Sequence, residues 1–133
     1  MIDKSAFARL HLPEVGTILR PMIDSGTAAT CGMIQLEMLF SSRTPHEFST
    51  LRTSLEVGLT IIETNQADFD RAIQVMHLLS NVGQHRSISI PDLIIGAVAE
   101  RRELRIVHYD QDFERLSEVT GQRTAWVVPR GSI

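Results

Sequence analysis

Hydrophobic residues in this chain follow two alternating patterns. Short, nearly continuous apolar runs, as at residues 59–62 and 106–107, are typical of strands buried on both faces of a sheet. Between these runs, apolar positions recur every three or four residues, which is the period of a helix that packs one face against a core. The alternation predicts an α/β domain with a mostly parallel central sheet and helices on both of its faces.

The pattern divides into about five strands and six or seven helices. Strands are predicted at the start of the chain, ending in Ile2-Asp3, and at residues 26–30, 59–62, 106–107 and 125–128. Helices are predicted at residues 5–12, 13–24, 32–40, from 45 onward, from about 65 onward, 91–103 and 111–119. The predicted buried face of the long helix after residue 65 comprises Phe69, Ile73, Met76 and Leu79 or Ser80.

Composition limits the class of protein. A chain of 133 residues, 43% of them hydrophobic, is long enough for one domain, residues 1–133, with its own core. The single cysteine, Cys31, leaves no internal disulfide and is compatible with the cytoplasm, where we expect the protein. Neither a signal peptide nor a membrane-spanning segment is expected. The net charge of −3 gives no signature of a general nucleic-acid binder.

Two aspartates follow the strand at residues 106–107. Asp110 and Asp112 stand where this strand passes into a helix, at the carboxyl edge where open α/β sheets build their sites. One of them can cap the helix, which stabilises it by about 1 kcal/mol. The second leaves a like-charge pair, which raises a pKa unless a cation neutralises it. Asp3 occupies a similar position before the first helix, where either Asp3 or Ser5 can be the cap.

Glu37 occupies an unusual position within a predicted helix. Its helical neighbours are Met33, Ile34 and Phe40, and burying a carboxylate in such an apolar stripe is costly without a partner. The alternative is a helix edge from which Glu37 reaches solvent. The segment alone leaves both interpretations open.

Asp92 stands in the first turn of the helix that begins near Pro91. An acid there complements the helix dipole by about 0.3–1 kcal/mol, which is a sufficient structural reason for it. However, the next positions on the same face are Ile95, Gly96 and Ala99, which predict that this face packs on the sheet.

Together the acids predict a pocket that holds a divalent metal ion. Asp110 and Asp112 form one wall of it, and Asp3, Glu37 and Asp92 form the others. Carboxylate oxygens suit Mg²⁺ or Mn²⁺, which activate water and stabilise phosphate oxygens during an in-line displacement. The five histidines lack metal-ligand spacing, and no GxxxxGK[ST] or GxGxxG motif indicates nucleotide binding.

Four motifs occur in an order and at a spacing that point to a known family. They are Ile2-Asp3-Lys4-Ser5-Ala6 with Arg9, Ile34-Gln35-Leu36-Glu37, the segment from Ile90 to Ala99, and His108-Tyr109-Asp110-Gln111-Asp112-Phe113. With them the chain resembles, over almost its whole length, a PIN-domain ribonuclease, and specifically a VapC-type toxin of a bacterial toxin–antitoxin pair. It departs from the family in its first strand, where only two apolar residues precede Asp3.

The resemblance implies a single PIN domain and an endoribonuclease that depends on Mg²⁺ or Mn²⁺. The catalytic, metal-holding acids would be Asp3, Glu37, Asp92 and Asp110. Asp112 would support them, and Ser5 would help to hold the geometry of the site. The candidates to steady the substrate backbone are Lys4, Arg9, Arg86 and Arg115.

The resemblance also implies partners. Substrates of this family are structured RNAs, often transfer RNA or ribosomal RNA. The usual protein partner is a small VapB-type antitoxin whose C-terminal segment blocks the site, and the toxin usually forms a homodimer.

Two other functions remain open at this point. A PIN fold kept as a non-catalytic, protein-binding module would retain the shape with vestigial acids. A receiver-like phospho-accepting domain also gathers acids around Mg²⁺, but it needs an aspartate after the third strand and a lysine after the fifth. Here Ile62-Glu63-Thr64 ends the third strand, and the only lysine is Lys4.

Overall fold

The computed structural model describes all 133 residues and contains seven helices and four short strands. The helices are α1 (Lys4–Phe7), α2 (Pro13–Asp24), α3 (Gly32–Phe40), α4 (Pro45–Gly58), α5 (Gln66–Ser80), α6 (Ile90–Arg101) and α7 (Asp112–Thr120). The strands are β1 (Ala29–Cys31), β2 (Thr60–Ile62), β3 (Ile106–His108) and β4 (Thr124–Trp126).

The first residues of the chain join two parallel strand pairs, β1–β2 and β3–β4, into one layer. The Ile2 N–H donates to the Ala29 carbonyl at 3.0 Å, and the Asp3 N–H donates to the Val107 carbonyl at 2.9 Å. The first predicted strand, which ends in Ile2-Asp3, is therefore present as a single parallel bridge, Ile2 to Val107, rather than as a full strand. It occupies the centre of the sheet, between β1 and β3, and so brings Asp3 to the end of β3.

Helices cover both faces of the sheet, as the alternating pattern predicts. Ile106 belongs to a core cluster of 17 buried residues built with α3, α5, α6 and α7. Its neighbour Val107 belongs to a second cluster, of 11 buried residues, with α1, α2 and α4. Successive strand residues point to opposite faces, so two adjacent positions supply two separate cores.

The predicted buried face of α5 is only partly right: Leu79 is buried and Met76 packs against the core, but two other predicted positions are exposed. Phe69 and Ile73 are 43% and 65% exposed, whereas the buried positions are Asp68, Ala72, Val75 and Leu79. The helix is turned because the Asp68 carboxylate is drawn inward. It accepts hydrogen bonds from the Arg101 side chain of α6 at 2.8 and 3.0 Å and from the Asn65 N–H at 2.9 Å. Hydrophobic periodicity alone cannot reveal a buried ion pair between two helices.

Several predicted boundaries shift by a few residues. β1 begins three residues later than predicted, and β4 ends at Trp126, although the following Val127 and Val128 are still buried. α6 ends at Arg101, two residues before the predicted end. None of these shifts moves a candidate site residue to another element.

Gly96 permits the closest approach of α6 to α7. A Cβ at this position would lie 2.4 Å from Cδ2 of Leu116, which is 1% exposed. Gly96→Ala is therefore expected to lower the free energy of unfolding by about 1–3 kcal/mol, measured by urea denaturation. Leu116→Ala should cost about 2–5 kcal/mol, but the double variant should cost less than the sum because the methyl group enters vacated space. Strictly additive losses would contradict this contact.

Candidate active site

Eight of the ten residues predicted to form or flank a site line one cavity of about 330 Å³. The cavity opens at the edge of the sheet where the N-terminal segment and β3 end. Its lining comprises Asp3, Lys4, Ser5, Ala8, Arg9, Glu37, Ser89, Asp92, Asp110 and Asp112.

The acids reach this cavity from separate elements. Asp3 and Asp110 come from neighbouring strand ends, because the N-terminal segment pairs with β3. Glu37 comes from α3. Asp92 lies in the first turn of α6, where its N–H donates to the side-chain oxygen of the N-cap residue Ser89 at 3.2 Å. Residues that are almost 110 positions apart in sequence therefore line the same cavity.

Asp3 is held by a short chain of hydrogen bonds through Ser5. The Asp3 carboxylate is buried at 4% exposure, and its Oδ2 accepts from the Ser5 N–H at 2.7 Å and from the Ser5 hydroxyl. The Ser5 hydroxyl oxygen in turn accepts from the Tyr109 N–H at 2.9 Å. Ser5 thus connects one site acid to the main chain next to another, and Asp3 is the cap of α1.

Asp110 and Asp112 have different surroundings. Asp110 Oδ1 accepts from the Asp112 N–H at 3.0 Å, so Asp110 supplies the capping contact at the start of α7. Asp112 Oδ1 instead accepts from the Arg115 guanidinium at 3.2 Å. Burial, and then the nearby Asp110 carboxylate, raise the pKa of Asp112, and Arg115 opposes that rise.

The cavity carries negative charge that no basic side chain neutralises directly. None of Asp3, Glu37, Asp92 and Asp110 is in an ion pair with lysine or arginine. Burial, and then the Asp3 carboxylate, raise the pKa of Asp92 from its ordinary 3.8 to about 7. Burial and Asp3 also raise the pKa of Glu37, against the opposing effect of Lys4.

This set of groups fits a hard divalent cation. The donors are carboxylate oxygens, and the Ser5 and Ser89 side chains line the same cavity. The raised pKa of Asp92 reflects its burial and the neighbouring carboxylates, whose charge a bound cation would neutralise. No three of the acids stand ready in metal-coordinating positions. The cavity therefore offers carboxylate ligands without a closed coordination cage. Such a site suits an ion that keeps several of its water ligands.

The apolar stripe predicted around Glu37 is only partly present in the structure. Ile34 is fully buried, but Phe40 is 90% exposed, so the stripe does not continue along the helix. Glu37 itself is partly exposed and lines the cavity. It faces the site because α3 follows β1 directly, not because the helix is surrounded by core.

The four basic candidates separate into two groups. Lys4 and Arg9 line the cavity, and the Arg9 guanidinium lies 4.4 Å from the centroid of the Tyr109 ring while donating to the Ser5 carbonyl at 2.7 Å. Arg86 is exposed and does not line the cavity. Arg115 also lies outside its lining and is bonded to Asp112 and to the carbonyl of Ser87.

Sequence reasoning missed three residues here. Ser89 was detectable, since a serine three residues before an acid is the spacing of a helix cap. Ala8 carries no chemical signal. His108 was dismissed with the other histidines, yet it is fully buried beneath Asp110 and accepts its N–H at Nδ1, 3.1 Å away. Burial lowers the pKa of His108, and the Asp3 carboxylate opposes that effect.

Comparison with known proteins gives consistent matches. Residues 1–119 match the family model described as PIN domain. The chain is 42% identical over 132 residues to Ribonuclease VapC21 of Mycobacterium tuberculosis, covering 99% of this chain and 96% of that protein. It is 34% identical over 134 residues to Ribonuclease VapC18 of the same organism, covering 99% and 97%.

Solved structures share the fold at low sequence identity. The VapBC2 complex of Rickettsia felis bound to a promoter DNA fragment matches with a TM-score of 0.77 at 14% identity, over 95% of this chain and 97% of that chain. DNA-bound VapBC of Salmonella typhimurium matches with a TM-score of 0.75 at 19% identity, over 96% and 97%. None of the helices here has the length and apolar character needed to cross a membrane.

Proposed function

Because the chain belongs to the PIN-domain family and, within it, to the VapC ribonucleases, we propose that it is a metal-dependent endoribonuclease that hydrolyses phosphodiester bonds in structured RNA. Transfer RNA and ribosomal RNA are the proposed substrate classes, and the cytoplasm is the proposed compartment. The observation that carries the proposal is the meeting of Asp3, Glu37, Asp92 and Asp110 in one cavity, where none of the four forms an ion pair with lysine or arginine. Membership of the PIN family excludes the receiver-like alternative.

Each side chain has a proposed part in the reaction. Asp3, Glu37, Asp92 and Asp110 would hold Mg²⁺ or Mn²⁺. The ion would neutralise the cavity, activate a water and stabilise the negative charge that develops on the phosphate. Ser5 keeps Asp3 oriented, and Asp112 supports Asp110 by donating its N–H. The remaining two cavity residues with charge are proposed to contact the RNA backbone: Lys4 and Arg9.

An acidic cavity repels RNA until a cation enters it, so the basic side chains alone do not make a binding surface. The charge of Lys4 opposes the rise in the pKa of Glu37, and Arg9 lines the same cavity. Once a cation neutralises the acids, the carboxylates would no longer compete with an RNA phosphate for Lys4 and Arg9. The substrate would then bind only to the metal-loaded protein.

We also propose a protein partner. The fold matches with Rickettsia and Salmonella are complexes named VapBC, so a VapB-type antitoxin that covers the cavity is the proposed inhibitor of this chain. A homodimer is the proposed assembly of the toxin.

The direct test is RNA cleavage by purified protein with and without metal. Wild-type protein should cleave total RNA in Mg²⁺ or Mn²⁺, and EDTA should stop it. Asp110→Asn should reduce cleavage by about a thousandfold, since a metal ligand contributes several kcal/mol to the transition state. Asp24→Asn, which changes an exposed aspartate on α2, is the matched control and should cleave normally. Absence of cleavage under all conditions would favour the non-catalytic binding module.

The Ser5 link provides a second test. Ser5→Ala removes the acceptor of the Tyr109 N–H and one of the two hydrogen bonds from Ser5 to the Asp3 carboxylate, so cleavage should fall by about 10–100-fold. The free energy of unfolding should fall by about 1–3 kcal/mol. Ser5→Thr keeps the hydroxyl and should retain most activity, and Ser49→Ala on the exposed face of α4 is the control. Normal cleavage by Ser5→Ala would remove Ser5 from the site.

A further inference from the structure

His108 is the one histidine buried in the fold, and the proposed reaction does not use it. It ends β3, two residues before Asp110. Its ring lies between two aromatic side chains, with centroid distances of 5.1 Å to Phe113 and 5.0 Å to Trp126. The imidazole therefore has little freedom to rotate, and its two nitrogens have fixed positions.

The two ring nitrogens have unequal surroundings. Nδ1 accepts the Asp110 N–H at 3.1 Å, which requires a lone pair on Nδ1 and places the ring hydrogen on Nε2. Nε2 is buried and has no hydrogen-bond partner. An unpaired buried N–H destabilises a fold, and an apolar side chain would fill this space without that cost. Core packing alone therefore does not account for a histidine here.

The imidazole of His108 instead holds the main chain of Asp110. The main chain of Asp110 is held by Nδ1 of His108, and its side chain is held at Oδ1 by the Asp112 N–H at 3.0 Å. With both attachments in place, the rotation of the carboxylate is restricted and its other oxygen remains available to the cavity. The His108 imidazole, which is itself held between Phe113 and Trp126, thus fixes the turn that follows β3.

We propose that His108 is a positioning residue of the nuclease site, which fixes the turn after β3 by accepting the Asp110 N–H at Nδ1 and so presents the Asp110 carboxylate to the cavity. The hydrogen bond itself exists independently of catalysis. Its effect on cleavage rests on the proposed function.

Two substitutions separate the hydrogen bond from packing. His108→Asn can place an amide oxygen near the position of Nδ1, whereas His108→Gln fills more of the ring volume but carries its amide toward the position of Nε2. If packing dominates, Gln should be the better substitute. If the Asp110 N–H contact dominates, Asn should be the better one.

The first measurement is amide hydrogen exchange of the metal-free proteins. The Asp110 amide should be protected in the wild type and in His108→Asn, and it should exchange at least about tenfold faster in His108→Gln. Long-range ¹H–¹⁵N spectra of the wild type should show a protonated Nε2 and a bare Nδ1. These readouts need neither metal nor RNA, so they remain informative even if the protein proves not to be a nuclease.

The second measurement is cleavage. His108→Gln should lower kcat by about 10–100-fold with little change in KM, and His108→Asn should recover most of that loss. Urea unfolding of both variants shows whether either is simply unfolded under assay conditions. Equal Asp110 exchange in the two variants, or a Gln variant more active than the Asn variant, would overturn the proposal.

Discussion

Asp92→Asn is expected to abolish RNA cleavage and, in the absence of metal, to make the protein more stable than the wild type above pH 7. Asp92 is 8% exposed and has a pKa of about 7 instead of 3.8, first because of burial and then because of Asp3. A carboxyl group whose pKa is raised on folding favours the folded state below its unfolded pKa. That advantage is lost as the pH rises through about 7. The neutral amide does not suffer this loss.

The expected gain for Asp92→Asn in EDTA is about 2–4 kcal/mol at pH 8 and should shrink toward zero near pH 4. Urea denaturation at both pH values measures it, with Asp24→Asn as the exposed control that should change stability little at either. Addition of Mn²⁺ should stabilise the wild type and not the variant. If Asp92→Asn is less stable than the wild type at pH 8, Asp92 stabilises the fold as an acid in the first turn of α6, and the electrostatic description of the cavity fails.

Arg101→Met is expected to give the opposite dependence on pH at Asp68, another buried aspartate of the fold. The Asp68 side chain is 1% exposed and pairs with Arg101 at 2.8 Å. Burial acts to raise the pKa of Asp68, but the hydrogen bonds from Arg101 and from the Asn65 N–H outweigh it, so the pKa is lowered. A lowered pKa contributes stability above the unfolded value, and this contribution is lost as the pH falls through the folded value.

Removal of Arg101 leaves the Asp68 carboxylate buried without its cation, which should cost about 3–5 kcal/mol at pH 7. The difference from the wild type should shrink as the pH falls, and it should go on shrinking below pH 3.8 because the pKa of Asp68 in the folded wild type is lowered. The matched control is Arg71→Met, whose partner Glu100 is 38% exposed at the side chain, and it should cost less than about 1 kcal/mol. A loss of the same size at pH 7 and at low pH would mean that Arg101 acts through packing or through its hydrogen bond to the Glu63 carbonyl, not through the charge of Asp68.

The two aspartates show what separates a structural acid from a site acid in this chain. Both are almost fully buried, at 1% for Asp68 and 8% for Asp92. Asp68 has a guanidinium beside it and a lowered pKa, so the protein itself satisfies its charge. Asp92 has other carboxylates as its charged neighbours and a raised pKa, so no charged group of the protein neutralises it, as we propose for an acid of a metal site.

The sequence predicts the site better than it predicts the packing. Asp3 and Asp110 follow strands, and Asp92 begins a helix after a proline, so local signals mark where each of them lies in the fold. Parallel strands end at a common edge, which makes their convergence a consequence of topology. The sequence alone therefore predicts that these acids lie close together.

The failures have a common cause, which is the tertiary partner that local patterns do not show. The α5 face is set by an ion pair between Asp68 and Arg101, 33 positions apart. The apolar stripe predicted around Glu37 included Phe40, but Phe40 is exposed because nothing packs on that end of α3. His108 gave no spacing signal, because its role is a single hydrogen bond to the main chain two residues away.

Our central proposal is that the carboxylates of Asp3, Glu37, Asp92 and Asp110 hold a divalent cation between them. The measurement that tests it most directly is a crystal structure of the protein soaked in Mn²⁺, with an anomalous difference map. The account predicts a peak inside the cavity bounded by these acids, about 2.0–2.3 Å from oxygens of at least two of them. A protein that cleaves RNA in Mn²⁺ but shows its only manganese peak elsewhere would contradict it.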